Sequence, residues 1–318
     1  MTPTQLRAFV TVVRLGSVRK AAVELSVSEA AVSMHVGQLR RELGDRLFTR
    51  TGAGLAFTPG GLRLASRAAE LLGLQDRTLL EVRQAGSGRR LLRVAASSLF
   101  AELAAPGLIE LFAGRAADLD VELSVHGPDE FAALLRSRTV DIAIGPRPPG
   151  LDAALVCTPF LNYQVIAVAG ARHPLATVPA SVSQLRGQTW LLGPSAAASS
   201  GLMSALIRQI GVPEDHQRIF QSHAAALEEA KRGKGVALAT SFAVSQELAS
   251  GDLLRLPAKS TRAQGAWHSV TLPDGDAPPV AAELTRFMTT PRATQAMLRG
   301  AGVTAGRFRP AIHVTLWS

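Results

Sequence analysis

The sequence predicts an α/β chain in three parts: an N-terminal winged helix-turn-helix, a long linker helix, and a C-terminal two-lobed α/β domain. Three observations predict it. Two short amphipathic helices meet across a tight turn within Ser17–Arg41. A Thr58-Pro59 pair opens a helical pattern that continues to the neighbourhood of Ala85. From Leu91 onward short apolar strands alternate with helical stretches, the order that builds a parallel sheet with helices on both faces.

The first helix opens at Thr2-Pro3-Thr4-Gln5. Thr2 is placed as N-cap, Pro3 is pre-set for the first helical position, and Gln5 can close a capping box. Leu6, Phe9, Val10 and Val13 share its inner face, and Gly16 ends it in the left-handed manner. Ser17 then caps a second helix whose apolar face is Val18, Ala21, Ala22 and Leu25. Ser26-Val27-Ser28 makes the turn, with Val27 expected to plug it. Ser28 caps a third helix, Glu29 sits at the positive end of its dipole, and Val32, Val36, Leu39 and Leu43 form the buried stripe. Ser33, Met34, His35, Gly37 and Gln38 are left facing outward.

An ordinary helical hairpin inside a core would show the same periodicity, but the charge distribution favours a helix-turn-helix whose outward face lies in a DNA major groove. The 318 residues carry a formal net charge of +9. Residues 1–93 alone hold 15 Lys and Arg against 7 Asp and Glu, so nearly all of the excess is N-terminal. A basic module attached to a near-neutral body suits a polyanion.

Gly44 ends the third helix. Leu47–Arg50, a glycine-bearing tip at residues 51–54, and Leu55–Thr58 read as a β-hairpin. Such a hairpin is a wing, with Arg50 near its tip. The helix opened by Thr58-Pro59 spans roughly 40 Å. It carries Leu64, Ala68, Leu71, Leu72, Leu79 and Val82, more apolar surface than a lone helix leaves in water. An antiparallel partner from a second subunit would cover it; packing on its own body is the alternative. Gly86-Ser87-Gly88 reads as a flexible hinge.

The run Leu6-Arg7-Ala8-Phe9, Gly16-Ser17, Ala21-Ala22, Leu25, Ser28, Ala31-Val32-Ser33, Leu39, Leu43-Gly44, Leu47-Phe48, Arg50 and Thr58-Pro59-Gly60-Gly61 resembles the LysR-type transcriptional regulators across the whole N-terminal module. The resemblance implies a winged helix-turn-helix, a dimerising linker helix, an effector-binding C-terminal domain, and a homodimer or a dimer of dimers. Glu29-Ala30 stand where the family commonly has Gln-Pro. Met34 stands where a basic residue is frequent, and Ala53 where an arginine is often found. Glu29 would repel phosphate, yet it can accept from a cytosine amino group. The expected DNA-facing set is Ser17, Arg19, Ser28, Glu29, Ser33, Met34, His35, Gln38, Arg40, Arg41 and Arg50. Within it Arg19, Arg40, Arg41 and Arg50 are placed for phosphates, and Ser33, Met34, His35 and Gln38 for the groove.

Beyond the linker, Leu91–Ala95, Leu119–Val125 and Val140–Gly145 read as strands, with a helix from Leu99 to Phe112 and another around Phe131–Leu135. A second set follows: strands at Gln164–Ala169, Thr189–Gly193, Arg218–Gln221 and Val236–Ala239, and helices at Gly201–Ile210 and His223–Arg232. The chain returns near Ala263–Trp267 to the strand His268–Leu272 and a last long helix from Pro279 to Leu298. Two crossings imply two lobes around a cleft, lobe I about 89–161 with 266–302 and lobe II about 162–265. The effector domain of the resembled family, itself similar to periplasmic binding proteins, has that architecture. Residues 1–58 are thus the DNA-binding domain, 59–88 the linker, 89–302 the effector domain and 303–318 a tail without an assigned role.

In open α/β sheets ligands sit where strands end and helices begin. Ser97 and Ser98, Ser195 with Ser199 and Ser200, and Ser222 fall there, with Thr240 as a further candidate. Hydroxyls at helix starts suit a small anion such as a carboxylate, although each serine alone could be a simple N-cap.

No GxSxG, HExxH, Walker A, CxxC or GxGxxG pattern stands in its needed context. Gly233-Lys234-Gly235 follows a helix and leads into a strand, the reverse of a phosphate loop. One cysteine, Cys157, and scattered histidines give neither a disulfide nor a metal cluster, and no cofactor is implied. No apolar run reaches membrane-spanning length, and Arg7 and Arg14 interrupt the N-terminal stretch, so neither a signal peptide nor a membrane partner is expected. The reading is a cytoplasmic transcription regulator, not an enzyme. Its partners are double-stranded promoter DNA, a small organic anion, a second copy of itself and, for an activator, RNA polymerase. The rivals are a solute-binding module or enzyme that its N-terminal helices merely dimerise, and an architectural DNA-binding protein without an effector.

Overall fold

A computed structural model describes residues 1–51, 54–198, 201–258 and 261–299, with the backbone only at Arg50 and Ser87. The tip residues Gly52 and Ala53, Ser199 and Ser200, and the tail 303–318 therefore lie outside the described residues. The chain divides into two compact units: Met1–Gly88 with Arg136–Thr139, and Arg89–Leu135 with Val140 onward.

The first unit begins with α1 (Pro3–Leu15), α2 (Val18–Glu24) and α3 (Glu29–Leu43). The caps match the sequence: Thr2 and Gln5 form the capping box, and Gly16 closes α1 at φ 62°. Phe9, Val12, Ala21, Ala22, Val32, Val36 and Leu39 fill the space between the helices. Two expected core residues stay outside it, Val27 at 47% exposure and Leu43 at 44%. The small Ala21 and Ala22 already let the helices close over the turn, and Leu43 sits in the last turn of α3 just before the Gly44 cap. The strands β1 (Phe48–Thr51) and β2 (Gly54–Phe57) pair antiparallel as the wing.

The wing's base is held by Asp45. Its Oδ1 accepts the Leu47 N–H at 2.6 Å and the Thr58 hydroxyl at 2.7 Å, while Thr58 Oγ1 accepts the Gly61 N–H at 2.9 Å. The bond from Leu47, then that from Thr58, hold the Asp45 carboxyl below its usual range. Gly61 lies so close to Leu47 that an added Cβ would meet the Leu47 carbonyl oxygen at 1.9 Å. Helix α4 (Pro59–Ser87) continues for 29 residues. The expected hinge is instead helical as far as Ser87, with Gly88 as a left-handed cap at φ 67°. Neither Gly86 nor Ser87 breaks the hydrogen-bond ladder, so the helix stops only where glycine can turn it.

In the second unit β3 (Arg90–Ala96), β4 (Leu119–Val125) and β5 (Ile142–Gly145) form one parallel trio. A second contains β7 (Trp190–Leu192), β8 (Gln217–Ile219) and β9 (Val236–Thr240). Between them run two long strands, β6 (Val156–Gly170) and β11 (Arg262–Thr271), antiparallel to each other and to their neighbours β9 and β5. A short β10 (Leu253–Arg255) pairs with β6. The expected all-parallel sheet is therefore mixed, in the order β4-β3-β5-β11-β6-β9-β7-β8. A chain that crosses between lobes and returns must lay its two crossing strands head to tail.

The expected Leu99–Phe112 helix is two, α5 (Ser98–Leu103) and α6 (Ala105–Ala113), divided at Ala104 ahead of Pro106. Likewise the last helix is α13 (Pro279–Met288) and α14 (Pro291–Arg299), divided before Pro291, whose ring blocks the preceding residue from helical geometry. The remaining helices are α7 (Phe131–Arg136), α8 (Val182–Arg186), α9 (Pro194–Ala197), α10 (Leu202–Ile210), α11 (His223–Lys231) and α12 (Ser245–Ser250). One apolar cluster runs through both lobes, from Leu92 and Phe100 to Trp190 and Leu238. At the crossing, Trp267 packs against Phe100, Tyr163 and Phe242 with ring centroids 4.8–5.8 Å apart.

Candidate DNA-binding face and effector cleft

On the first unit, Arg19, Ser28, Glu29, Ser33, Met34 and Arg41 are exposed. Ser17 and Ser28 act as helix caps, accepting the N–H groups of Lys20 and Ala31. His35 and Gln38 are half-buried, and Gln38 accepts a bond from the Gln5 amide of α1 at 2.9 Å. Arg40 turns toward the wing. Its Nη2 donates to the Phe48 carbonyl at 2.8 Å and its guanidinium lies 4.5 Å from the centre of the Phe48 ring. This arginine fixes α3 against β1.

Between α3 and the wing lies a groove of about 580 Å³, lined by Ser33, Arg40, Arg46 and Thr49 over an apolar floor of Val18, Val36 and Phe48. Arg46 is exposed at its edge, and sequence reasoning missed it. The available signal was a second arginine four residues before Arg50, at the entry to the wing. The backbone of Arg50 pairs with Leu55 in the hairpin.

In the second unit, the ends of β3 and β7 bring Ser97, Ser98 and Ser195 to one cavity of about 250 Å³. Ser98 and Ser195 hydroxyls bond each other at 2.9 Å across the two lobes. Ser97 is 6% exposed, and its buried Oγ has no hydrogen-bond partner. Tyr163 adds a ring from β6, and burial pushes its phenol up to about 12. His126 and Glu130 also line the cavity; Glu130 takes His126 Nδ1 at 3.3 Å and the Gly127 N–H at 2.9 Å.

Two other expected contacts fall elsewhere. Ser222 caps α11, its Oγ accepting the Ala225 N–H at 3.1 Å, and does not line the cavity. The N-terminus of α11 is filled by Glu102 from the other lobe. Its carboxylate accepts His223 N–H at 2.9 Å, Ala224 N–H at 2.8 Å and His223 Nδ1 at 2.6 Å. Burial pushes the Glu102 carboxyl up, but the bonds from the His223 side chain and the two backbone N–H groups outweigh it, and the net shift is downward. Thr240, in the fully buried strand β9, is likewise off the cavity wall, and its buried Oγ1 has no hydrogen-bond partner.

An exposed helix-turn-helix with a wing, carried on a chain whose remainder encloses a hydroxyl-lined cleft, defines the class: a DNA-binding regulator with its own ligand-binding domain. Residues 3–62 match the bacterial regulatory helix-turn-helix protein model of the lysR family, and residues 85–291 match the LysR substrate binding domain. The chain belongs to the LysR family of transcriptional regulators, and is a DNA-binding transcription regulator and not an enzyme. It is 56% identical over 321 residues to the HTH-type transcriptional regulator Rv0377 of Mycobacterium tuberculosis, covering 100% of both chains. It is 28% identical over 281 residues to CfxR of Cupriavidus necator, covering 84% of each. Among solved structures, full-length CbnR in complex with its target DNA matches with a TM-score of 0.56 at 18% identity, over 91% of this chain and 100% of that one. That likeness shows the fold. Among the described residues, no helix is long and apolar enough to cross a membrane.

Proposed function

We propose that this chain is a cytoplasmic regulator that sits on promoter DNA as a homodimer or dimer of dimers, with its grip set by a small organic anion in the Ser97–Ser98–Ser195 cleft. The observation that carries the effector reading is the buried, unpartnered Ser97 hydroxyl beside a serine pair that spans the lobes. A buried donor without a partner costs roughly 1–3 kcal/mol, which a bound acceptor would return. On the DNA side, Ser33, Met34 and Glu29 face the bases, while Arg19, Arg41, Arg46 and Arg50 take phosphates. Arg40 supports the wing and leaves α3 rigid.

The dimer reading rests on α4. Leu64 and Leu72 pack on the first unit's own core, around the buried Ala68. Leu71, Leu74, Leu79 and Val82 stay exposed, Val82 at 67%. A long helix with such a stripe is covered by a second copy. An activator of this design would also meet RNA polymerase near the promoter.

The test is a salt-dependent gel shift on promoter DNA with the full chain and with residues 1–58 removed. Specific binding that vanishes with the truncation is the expected result. Binding that survives it overturns the DNA-face assignment. A thermal-shift screen of organic acids tests the sensor half, and the absence of any ligand would favour an architectural DNA-binding protein.

A further inference from the structure

Resting on the cleft reading above, we infer that the effector of this chain is a small monocarboxylate with an apolar body, and that the cleft refuses phosphate esters and dicarboxylates.

Size sets the first limit. A cavity of about 250 Å³ lies just below the usual range for ligand sites.

Charge sets the second. Among the described lining residues there is no lysine or arginine, and the only ionisable side chains apart from Tyr163 are His126 and Glu130, which bond each other. Arg147 follows the lining residue Pro146 but is exposed and does not line the cavity. A phosphate dianion placed here would lose its water beside a carboxylate and gain no guanidinium in return. A single carboxylate can be held by hydroxyls: Ser97 has an unused buried Oγ, and in the Ser98–Ser195 pair the hydroxyl that accepts its partner's proton can turn its own to the ligand.

The third limit is the number of seats. Two nine-residue helices begin near the lobe junction: α10, whose start carries no side-chain cap and lines the cavity with Gly201, Leu202 and Met203, and α11, each a potential anion cradle. The start of α11 is the one that a second carboxylate would need. Glu102 already occupies it, receiving two backbone N–H groups and the His223 ring. The chain thus supplies one of the two negative charges that a bridging dicarboxylate would bring. The remaining wall is apolar, with Leu99, Val125, Leu202 and Met203 around the Tyr163 ring.

The experiment is calorimetry on the intact regulator with propionate and butyrate, set against succinate and phosphoglycolate at matched ionic strength. Ser97→Ala and Ser195→Ala are run in parallel. The expected result is saturable binding of a monocarboxylate, weakened about tenfold or more by either substitution, with no heat from succinate or phosphoglycolate. Thermal unfolding of the unliganded variants reports whether they fold as the parent does. If succinate or phosphoglycolate binds and the serine variants weaken it, the cleft stands and the ligand class falls. If a probe binds and neither substitution matters, the cleft reading itself falls. If no monocarboxylate binds at millimolar concentration, the class is overturned.

Discussion

Glu102 is the residue with the most to do for its size. It joins the lobes through three charge-assisted bonds, so Glu102→Gln is expected to cost about 2 kcal/mol. Its folded-state carboxyl titrates below the usual 4.5. The contribution is therefore complete above that value and is lost as pH falls through the lower, folded one. Thermal midpoints of the parent and of Glu102→Gln, followed from neutral pH to about pH 3, should converge on acidification. Parallel curves would deny the bond its electrostatic character. At the DNA face, Arg46→Ala should weaken binding to all sequences alike and lower the salt slope by about one. A change in base preference at unchanged slope would move Arg46 from the backbone to the groove. Arg46 left a signal in the sequence, four residues before Arg50 at the wing entry, but Glu102 was not legible there. Glu102 meets His223 across a separation of 121 residues, and nothing local marks it. Ser97, Ser98 and Ser195 were legible, because strand-end serines before helices are a local pattern. Ser222 shares that pattern and is only a cap. The pattern gives position along a sheet and not which lobe faces it.

Among the elements, the N-terminal helices follow their caps almost to the residue, since proline, glycine and hydroxyl caps act within one turn. Periodicity placed the buried faces well but overreached at Leu43, and Val27, expected as the plug of the turn, stays exposed, because tertiary closure decides there and local sequence does not. The mixed sheet was beyond local reading, because β6 and β11 look like ordinary apolar strands until their pairing is known. The start of α4 carries a sharper constraint. Gly61 faces the Leu47 carbonyl so closely that any Cβ forces the helix off the wing. Gly61→Ala should destabilise the first unit by about 2 kcal/mol or more and loosen the wing. Hydrogen exchange at Leu47 and Phe48 is the readout, and unchanged protection there would contradict the close packing. Asp141 presents a parallel case in the sheet, 4% exposed and bound to the Arg93 N–H and Nη2 at 2.8 and 2.9 Å. Arg93→Ala strands much of that charge and should cost about 3 kcal/mol in chemical unfolding.

For the whole molecule, the proposed dimer rests on the exposed apolar residues of α4. Val82→Glu or Leu79→Glu is expected to shift the protein toward monomer in sedimentation while leaving its circular dichroism intact. A dimer that persists in both would place the interface elsewhere. The basic first unit and near-neutral second one were readable from composition, while the sensing role of the second came from its strand and helix order and the family resemblance. Glu102 has one more consequence at this scale. Because Glu102 in one lobe holds the backbone of α11 in the other, the two lobes are tied together beside the cleft. Ligand arrival then has little travel to release, and the signal must leave as a stiffening or a slight tilt rather than as a jaw snapping shut. Small-angle scattering should accordingly give nearly the same radius with and without ligand, and a larger one only when Glu102 is removed.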